Sequence, residues 1–275
     1  MQEKDVESIE IDLFLEAIYW RYGYDFRHYA RASLRRRVRH LLTKHRYEHV
    51  SDLIAPLLYD EAFARSAIYD FSITVTEMFR DPDVYVAVRQ RIAPYLKTYP
   101  FVKVWVAGCA TGEEVYSLSI LLQEEGLYNR ATIFATDFNE TALEKAGEGI
   151  YALKDMRQYT ENYQRAGGTR SFADYYHAQY GSAIIDPVFK KNVTFANHNL
   201  VTDGVFGEMH LIFCRNVLIY FDKTLQNRVL KLLADSLVYG GFLCLGTKET
   251  LQFSDVQEQF EVVDSKAKIY KKRGT

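Results

Sequence analysis

The 275-residue sequence is poor in proline and cysteine, has no long apolar run and carries no excess of either charge. Its 5 prolines and 15 glycines are too few for a collagen-like or largely disordered chain. The apolar run at residues 211–221 contains Arg215 and Asn216 and is far shorter than the ~20 residues that a transmembrane helix needs. The 34 Lys and Arg residues nearly balance the 36 Asp and Glu residues, a net charge of -2, so neither nucleic acid nor a membrane is expected as the main partner.

The few cysteines also bear on the cellular compartment. Cys109, Cys214 and Cys244 are odd in number and show no CxxC spacing, which favours a reducing compartment over a disulfide framework. Residues 1–12 are acidic and polar, unlike a secretory signal. These features predict a cytoplasmic protein. His45 and His49 lack the glutamate and the third ligand of an HExxH site, so no metal is predicted.

Hydrophobic periodicity divides the chain into two parts. Helical spacing between residues 9 and 67 predicts a small all-helical domain over residues 1–70, and a different pattern predicts an α/β domain over residues 71–275. The apolar residues that carry the helical spacing are Ile9, Leu13, Ala17 and Trp20, then Leu34, Val38 and Leu41, then Leu53, Leu57 and Phe63.

Seven strand-like runs occur in the second part. They predict a Rossmann-like, doubly wound and mostly parallel seven-stranded sheet, in which the last two runs form an antiparallel end. Residues 151–192 interrupt the alternation, and so long a connection predicts an inserted subdomain of helical pieces and a small β-sheet. The seven runs begin at residues 101, 131, 193, 209, 242, 260 and 268.

The turn after the first strand of this part indicates a nucleoside cofactor. Gly108 and Gly112 allow the backbone to bend and approach a ligand, and Asp137 at the end of the second strand can accept hydrogen bonds from ribose hydroxyls. Glu113 and Glu114 would repel a pyrophosphate at the helix start, whereas they suit the sulfonium and amino groups of S-adenosylmethionine. Alternatively, the two carboxylates only stabilise the helix dipole.

Five segments, in the same order along the chain, resemble those of the CheR family of chemotaxis receptor methyltransferases. The resemblance covers nearly the whole chain. It implies an S-adenosylmethionine-dependent methyltransferase fold with a small N-terminal all-helical domain and an inserted β-subdomain. The implied activity transfers a methyl group to glutamate side chains of chemoreceptors, giving methyl esters and S-adenosylhomocysteine. The segments are TVTEMFRD (74–81), AGCATGEEVYS (107–117), ATDFN (135–139), HNL (198–200) and CRNVLIYFD (214–222).

The resemblance also implies the residues of the site. Thr74 stands where some relatives have Asn. Residues 246–249 read GTKE where the family often has GHSE, and we expect this second difference to affect local packing more than cofactor choice. The implied cofactor contacts, to which the glycine turn adds Gly108, are Thr74, Thr76, Arg80, Glu114, Asp137, Asn199, Leu200, Arg215 and Asn216.

Arg80 and Tyr220 resemble the residues that the family places beside the transferred methyl group. A glutamate carboxylate is already ionised at neutral pH, so the reaction needs orientation rather than a general base. Arg80 would hold the carboxylate by a charge-assisted hydrogen bond, and Tyr220 would donate a second one. Alternatively, Arg80 forms a structural ion pair with Asp81 or Asp83, and Tyr220 is a core aromatic residue.

Residues 21–46 contain nine Lys and Arg residues against a single Asp, a local charge of +8. Arg31, Arg35, Arg36 and Arg39 are predicted to bind the acidic helices of the cytoplasmic signalling domain of a chemoreceptor. A solvated helix face and RNA binding are the alternatives.

Residues 177–192 are short and lack the Gly-containing loop through which many CheR relatives bind a receptor C-terminal pentapeptide. We therefore predict no such tether, and neither a nucleic-acid partner nor membrane insertion. Two other functions stay open. One is methylation of a small molecule or RNA, against which stands the lack of an Asn-Pro-Pro-Tyr-like motif. The other is a signalling module that binds the cofactor without turnover.

Overall fold

A computed structural model describes residues 5–71 and 74–274, and the chain forms two compact units. Unit 1 comprises Met1–Ile73 and Ile219–Arg228, and unit 2 comprises Thr74–Leu218 and Val229–Thr275. The sequence pattern places residues 219–228 in the second domain, whereas their contacts in the structure are with the helical unit.

Unit 1 is built from short helices. Asp5 caps the first of them by accepting a hydrogen bond from the Ser8 amide at 2.7 Å, and Gly23, with φ 78°, ends it. The helices are α1 (Val6–Tyr22), α2 (Arg31–His45), α3 (Ile54–Tyr59) and α4 (Glu61–Asp70).

Helix α1 is apolar on two faces, and the face that it buries is not the one carrying the sequence periodicity. Ile11, Phe14, Leu15 and Ile18 form the buried face, at 1% exposure or less. The residues whose spacing indicates a helix lie on the opposite face, where the exposed fractions are 47% for Ile9, 56% for Leu13 and 78% for Trp20. The spacing therefore predicted the helix correctly but did not identify the buried side, because both stripes repeat with the helical period.

Residues 219–228 join unit 1 through aromatic contacts and backbone pairing. Tyr29 and Phe221 form an antiparallel bridge, and their rings pack edge to face with centroids 5.0 Å apart. Phe26 contacts both Tyr29 and Phe71, at 5.1 and 5.0 Å between centroids, and Phe14 continues the cluster. The aromatic core of the helical unit is thus completed by a residue that lies about 150 positions farther along the chain.

Unit 2 contains two sheets and their flanking helices. No helix within residues 5–71 and 74–274 is long and apolar enough to cross a membrane. The strands are β1 (Val102–Ala107), β2 (Ala131–Asp137), β3 (Ile150–Ala152), β4 (Tyr176–Gln179), β5 (Ser182–Ile185), β6 (Val193–Asn197), β7 (Met209–Cys214), β8 (Leu237–Leu245), β9 (Phe260–Asp264) and β10 (Ile269–Lys272). The helices are α5 (Pro82–Ala87), α6 (Ala93–Leu96), α7 (Glu113–Glu124), α8 (Glu140–Glu148), α9 (Met156–Arg165) and α10 (Lys223–Asp235), in which the boundary at Arg228 falls.

The large sheet has the strand order β6-β2-β1-β7-β8-β10-β9, which confirms the predicted seven-stranded, doubly wound fold. The first five strands in this order are parallel, and β10 is antiparallel to both of its neighbours. Val104, Val106, Leu211 and Phe213 are fully buried in the core, as expected for parallel strands covered by helices. The strand order reverses at β1, so the carboxyl ends of β1 and β7 flank the place where such sheets bind ligands.

The insertion contains the predicted small β-sheet, which has the order β3-β5-β4, together with α9. A buried carboxylate fastens it to α7. Glu124 Oε1 accepts hydrogen bonds from the hydroxyls of Tyr163 at 2.5 Å and Tyr175 at 2.9 Å and from the amide of Thr169 at 3.2 Å, while Oε2 pairs with Arg89. Because all these donors converge on one carboxylate, the insertion has a fixed position on α7.

Glu113, at the start of α7, is buried without a cation partner among the described residues. Its Oε2 accepts a hydrogen bond from Thr111 Oγ1 at 2.7 Å. Burial raises the pKa of this carboxyl from 4.5 to about 7, because the charged form loses its hydration. Folding therefore favours the protonated side chain.

We expect Glu113→Gln to stabilise unit 2 above neutral pH. The raised pKa means that the wild type loses stability as the pH rises from 4.5 to about 7, by up to ~3 kcal/mol, and the loss is constant above that range. Gln keeps an acceptor for Thr111 and does not ionise. Urea unfolding should therefore need more denaturant for the variant at about pH 8 and the same amount at about pH 4.5. A variant less stable than the wild type at both values would contradict this assignment.

Candidate active site

The predicted site residues of unit 2 gather at the carboxyl edge of the large sheet. Gly108 follows β1, Asp137 ends β2, Asn199 lies two residues after β6, and Arg215 follows β7. These four strands are parallel, so their carboxyl ends meet at one edge. The fold therefore brings together segments that are up to about 100 residues apart.

The turn after β1 bends sharply through three residues with positive φ. Gly108 has φ 75°, Ala110 47° and Gly112 92°. A Cβ atom on Gly108 would lie 2.6 Å from Val217 Cγ2, and one on Gly112 would lie 2.9 Å from the Ala146 Cβ. Both glycines are required by the left-handed backbone and by the close approach of neighbouring segments.

Asp137 ties this turn to the end of β2. Its Oδ2 accepts a hydrogen bond from the Ala110 amide at 3.0 Å, and its Oδ1 accepts one from the Asn139 amide at 3.0 Å. Burial raises the pKa of the carboxyl, and the backbone donors oppose that effect. The side chain still reaches solvent in part. A carboxylate has about four lone-pair positions, so acceptor capacity remains for ligand hydroxyls.

Arg215 is the ionic centre of the site. Its side chain is only 1% exposed, and it donates to Glu114 Oε1 at 2.6 Å and to Asp81 Oδ2 at 2.8 Å. A third hydrogen bond, of 3.1 Å, reaches the carbonyl of Arg80. Burial disfavours the charge, but Glu114, the Tyr85 ring and Asp81 outweigh it, so the pKa of Arg215 is raised. The structure thus places the predicted cofactor residues Glu114 and Arg215 in a pair with each other.

Arg80 has a different environment from Arg215. The two acids considered as its structural partners are both engaged elsewhere, Asp81 with Arg215 and Asp83 with Lys266. Among the described residues, the Arg80 side chain forms no ion pair, and the one hydrogen bond of its guanidinium group is a 3.5 Å contact to the Val75 carbonyl. Its guanidinium group therefore keeps most of its donors for a ligand.

The backbone around Arg80 is held in an unusual conformation. Phe79 and Asp81, on either side, have φ 53° and 54°. The Phe79 amide donates to Ser117 Oγ at 2.8 Å, and its buried ring contacts that of Tyr85, among others. Left-handed conformations of non-glycine residues persist only where the surroundings enforce them, and here buried packing does so.

Thr74 and Thr76 lie in the irregular segment that leads to Arg80, and both are half-buried. The part of the chain that the structure describes provides no hydrogen bond to either hydroxyl group. Both hydroxyls are therefore available to a ligand.

Asn199 and Leu200 form the turn after β6. The Asn199 amide donates to Asp203 Oδ2 at 2.8 Å, and its side-chain oxygen accepts from the Val201 amide at 2.9 Å. Leu200 is buried. The Asn199 side chain thus stabilises its own turn, and Leu200 supplies an apolar surface.

Sequence reasoning missed the role of Glu249. Its Oε2 accepts hydrogen bonds from the amides of Asn216, at 3.0 Å, and Gly246, at 2.5 Å, and the side chain is 4% exposed. Asn216 has φ 60°, so the buried carboxylate holds a strained residue in place. Glu249 is the last residue of the GTKE segment and also stands in the GHSE pattern, so this shared glutamate could have indicated its role.

Tyr220 belongs to unit 1 by its contacts. It is half-exposed, its carbonyl accepts a hydrogen bond from the Ala30 amide at 2.8 Å, and the guanidinium carbon of Arg37 lies 5.5 Å from its ring centroid. It is therefore not a fully buried core aromatic residue.

The four predicted receptor-binding arginines of α2 differ in their pairing. Arg31 and Arg39 form ion pairs with Asp12 and Glu7 of α1, at 2.5 and 2.9 Å, and Arg35 pairs with Asp5, the residue that caps α1, at 2.8 Å. Arg36 is exposed and forms no ion pair among the described residues. The local charge of +8 is therefore reduced in the folded unit by acids that lie outside residues 21–46.

The donor set of the site fits S-adenosylmethionine. A dinucleotide would need cationic or N–H donors for its pyrophosphate at the start of α7, but the first turn of that helix carries Glu113 and Glu114, and the Arg215 guanidinium is already paired with two carboxylates. Asp137 offers carboxylate acceptors for hydroxyl groups, and Leu200 offers an apolar surface. The described residues contain no group of three or more His, Cys, Asp or Glu side chains that could hold a metal ion.

Comparisons with known proteins identify the family. The all-alpha domain of CheR methyltransferase matches residues 9–72, and the SAM-binding domain of CheR methyltransferase matches residues 74–269. The Pseudomonas putida protein named "Putative methyltransferase Cher3" is 51% identical over 265 residues, which cover 96% of this chain and 97% of that protein. A chemotaxis protein methyltransferase of Listeria innocua is 29% identical over 231 residues, 83% of this chain and 85% of that protein.

Among solved structures, PKMT2 from Rickettsia typhi in complex with AdoHcy is 15% identical with a TM-score of 0.36, covering 62% of this chain and 26% of that one. The chain thus spans about a quarter of that protein. The family matches confirm the predicted S-adenosylmethionine-dependent methyltransferase. The chain belongs to the CheR methyltransferase family, and its residues 74–269 form the family's S-adenosylmethionine-binding domain.

Proposed function

We propose that the protein methylates glutamate side chains in the cytoplasmic signalling domains of chemoreceptors, and that it acts in the cytoplasm. The observation that carries the proposal is the contrast between two arginines. Arg215 is buried and paired with two carboxylates, whereas Arg80 has no ion pair among the described residues. An unpaired guanidinium beside a cofactor site suits a carboxylate acceptor.

The proposed mechanism depends on orientation. Bound S-adenosylmethionine supplies an electrophilic methyl group on its sulfonium. Thr74, Thr76, Asp137, Asn199, Leu200 and Asn216 would hold the cofactor, and the Arg215 pair with Glu114 would shape the pocket. Arg80 would bind one oxygen of the acceptor glutamate and Tyr220 would donate to the same carboxylate. The other oxygen would then be free to accept the methyl group, and S-adenosylhomocysteine would be the leaving group.

Recognition of the receptor is proposed to involve α2. Arg36 is the exposed arginine that is free to meet an acidic helix, while Arg31, Arg35 and Arg39 share their charge with α1. Long-range attraction of an acidic receptor bundle still benefits from the whole set, because exposed ion pairs are weak and exchange partners readily.

We further propose that no receptor pentapeptide is needed. Strands β4 and β5 are joined by the two-residue turn Tyr180-Gly181, with φ 49° and 78°. This is the conformation of a tight type I′ hairpin. The short turn supports the prediction that the longer peptide-binding loop of many relatives has no counterpart here.

The proposed activity is tested by transfer of radiolabelled methyl from S-adenosylmethionine to receptor-containing membranes. We expect base-labile label, released as methanol, on a receptor-sized band. Arg80→Ala should lower turnover by about 100-fold, because the acceptor carboxylate loses its charged partner. Arg91→Lys, on an exposed arginine paired with Asp264, is the matched control and should leave turnover unchanged.

Three other outcomes would contradict this function. Base-stable label would indicate a different acceptor atom. Label on RNA or on a small molecule would favour another substrate. Cofactor binding that is weakened in Arg80→Ala, with no transfer by the wild type, would favour a sensing module.

Reversing the charge of Arg36 should weaken receptor binding selectively. We expect Arg36→Glu to raise KM for the receptor by about 10-fold at low salt while kcat stays within a factor of two, and the difference should shrink as salt increases. Lys266→Glu reverses a charge that is 85% exposed in unit 2 and serves as the control. Equal effects of both variants would show that net charge, and not α2, governs the rate.

Receptors with and without their last five residues should be methylated with the same KM. Titration calorimetry with the isolated pentapeptide should show no binding above that of a scrambled peptide, because the Tyr180-Gly181 turn leaves no loop to enclose it. Low-micromolar or tighter binding would contradict the tether-free interpretation.

A further inference from the structure

Arg37 is a buried cation on the inner face of α2. It is 6% exposed and shares that face with the fully buried Leu34, Val38 and Leu41. Burial lowers the pKa of its guanidinium group, while the phenolic groups of Tyr29 and Tyr220 oppose that effect. A charged side chain therefore occupies a position where a helix core normally carries an apolar one.

No carboxylate compensates this charge among the described residues. Arg37 Nε donates to Ser33 Oγ at 3.2 Å, and Nη1 donates to the carbonyls of Asp70, at 3.4 Å, and Phe71. The remaining nitrogen, Nη2, is buried and has no acceptor. A buried and incompletely satisfied guanidinium is costly for folding, so stability alone does not account for an arginine here.

The Arg37 guanidinium lies over the ring of Tyr220. The guanidinium carbon lies 5.5 Å from the centre of the Tyr220 ring, within the range of a cation–π contact. The backbone on both sides of Tyr29 fixes the same segment. The Ala30 amide donates to the Tyr220 carbonyl at 2.8 Å, and the Asp222 amide donates to the His28 carbonyl at 2.8 Å. Backbone pairing thus sets the position of Tyr220, and the Arg37 guanidinium lies over its ring.

The same guanidinium also holds the end of α4. The carbonyls of Asp70 and Phe71 are the orphan acceptors at that helix terminus, and Arg37 supplies donors to them. Three residues after Phe71 the chain reaches Thr74, the first of the predicted cofactor residues. One side chain of the helical unit is therefore in contact with Tyr220 and with the start of the segment that leads to Arg80.

We infer that Arg37 is a positioning residue for methyl transfer, which fixes the Tyr220 ring so that its hydroxyl meets the acceptor carboxylate. The inference rests on the proposed function, because it takes the role of Tyr220 from it.

The test is a double-mutant cycle on the full chain with receptor membranes as substrate. Arg37→Met removes the charge and keeps the length of the side chain, and it should lower kcat by about 10-fold because the Tyr220 ring is no longer fixed. KM for the receptor and the Kd for S-adenosylmethionine should change by less than about twofold. Arg37→Lys, which keeps a cation against the ring, should recover part of the lost kcat.

In a Tyr220→Phe background, Arg37→Met should have almost no further effect on kcat, since the hydroxyl that it positions is already absent. If the double variant loses kcat by the product of the two single losses, the residues act independently and the inference is wrong. So would a Tyr220→Phe variant with wild-type kcat, because Arg37 would then have no catalytic group to act through.

Leu41→Ala provides the matched control for loss of stability. Leu41 is fully buried on the same face of α2, one helical turn farther on, and its removal weakens unit 1 without altering the contact with Tyr220. At a temperature where Leu41→Ala and Arg37→Met are equally folded, only Arg37→Met should have the lower kcat. Equal losses of kcat in the two variants would mean that Arg37 has only a structural role.

NMR spectroscopy separates failure of this inference from failure of the proposed function. If the wild type transfers no methyl group to receptors, the proposed function is wrong, and the geometry is read from the Tyr220 ring instead. Hydrogen exchange at the amides of Ala30 and Asp222 first shows that the backbone pairing is intact in both variants. The aromatic NMR shifts of Tyr220 should then change in Arg37→Met and stay as in the wild type in Leu41→Ala. Equal shifts in the two variants would overturn the positioning role.

Discussion

The buried ion cluster of Arg215 is the interaction on which the geometry of unit 2 depends. One guanidinium group joins the end of β7 to Glu114 in the first turn of α7 and to Asp81 before α5. A cation that is removed from water is tolerated only while its partners remain, and loss of either carboxylate leaves an uncompensated charge in the interior. Three segments from distant parts of the sequence are therefore fixed relative to one another.

The cluster also determines which charges remain for chemistry. Since Asp81 and Glu114 are committed to Arg215, neither can neutralise Arg80. The site thus contains one arginine whose charge is compensated by two carboxylates and one that has no ion-pair partner in the described part of the chain. Arg215 and Arg80 carry the same charge but differ in role, because carboxylates surround Arg215 and none pairs with Arg80 among the described residues.

Backbone strain is concentrated around the same site. Phe79, Asp81, Ala110 and Asn216 all have positive φ without being glycine, and each such residue costs ~1–3 kcal/mol. Buried contacts oppose this cost, including the Glu249 carboxylate on the Asn216 amide. The site is therefore preorganised, so that little rearrangement is needed when ligands bind.

The large sheet and the insertion could be predicted because strand and helix periods are local properties, as the run before Gly108 shows. The burial of α1 could not, since Ile9 and Leu13 repeat with the same period as the residues that face the core. The acids that pair with Arg35 and Arg39 belong to another helix, so a count within one window overestimates the charge of α2. Likewise, Glu249 acquires its role only when the fold brings it to Asn216.

The membership of residues 219–228 in the helical unit has a consequence for how the chain is made. During synthesis the first 73 residues leave the ribosome long before Phe221, which completes their aromatic cluster by packing on Tyr29. Until then that part of the cluster is exposed, and closing it requires contacts of very high sequence separation, which form slowly. The N-terminal part therefore cannot complete its core until the second part has been translated. A fragment that ends at residue 73 would expose this apolar surface and would be prone to aggregation.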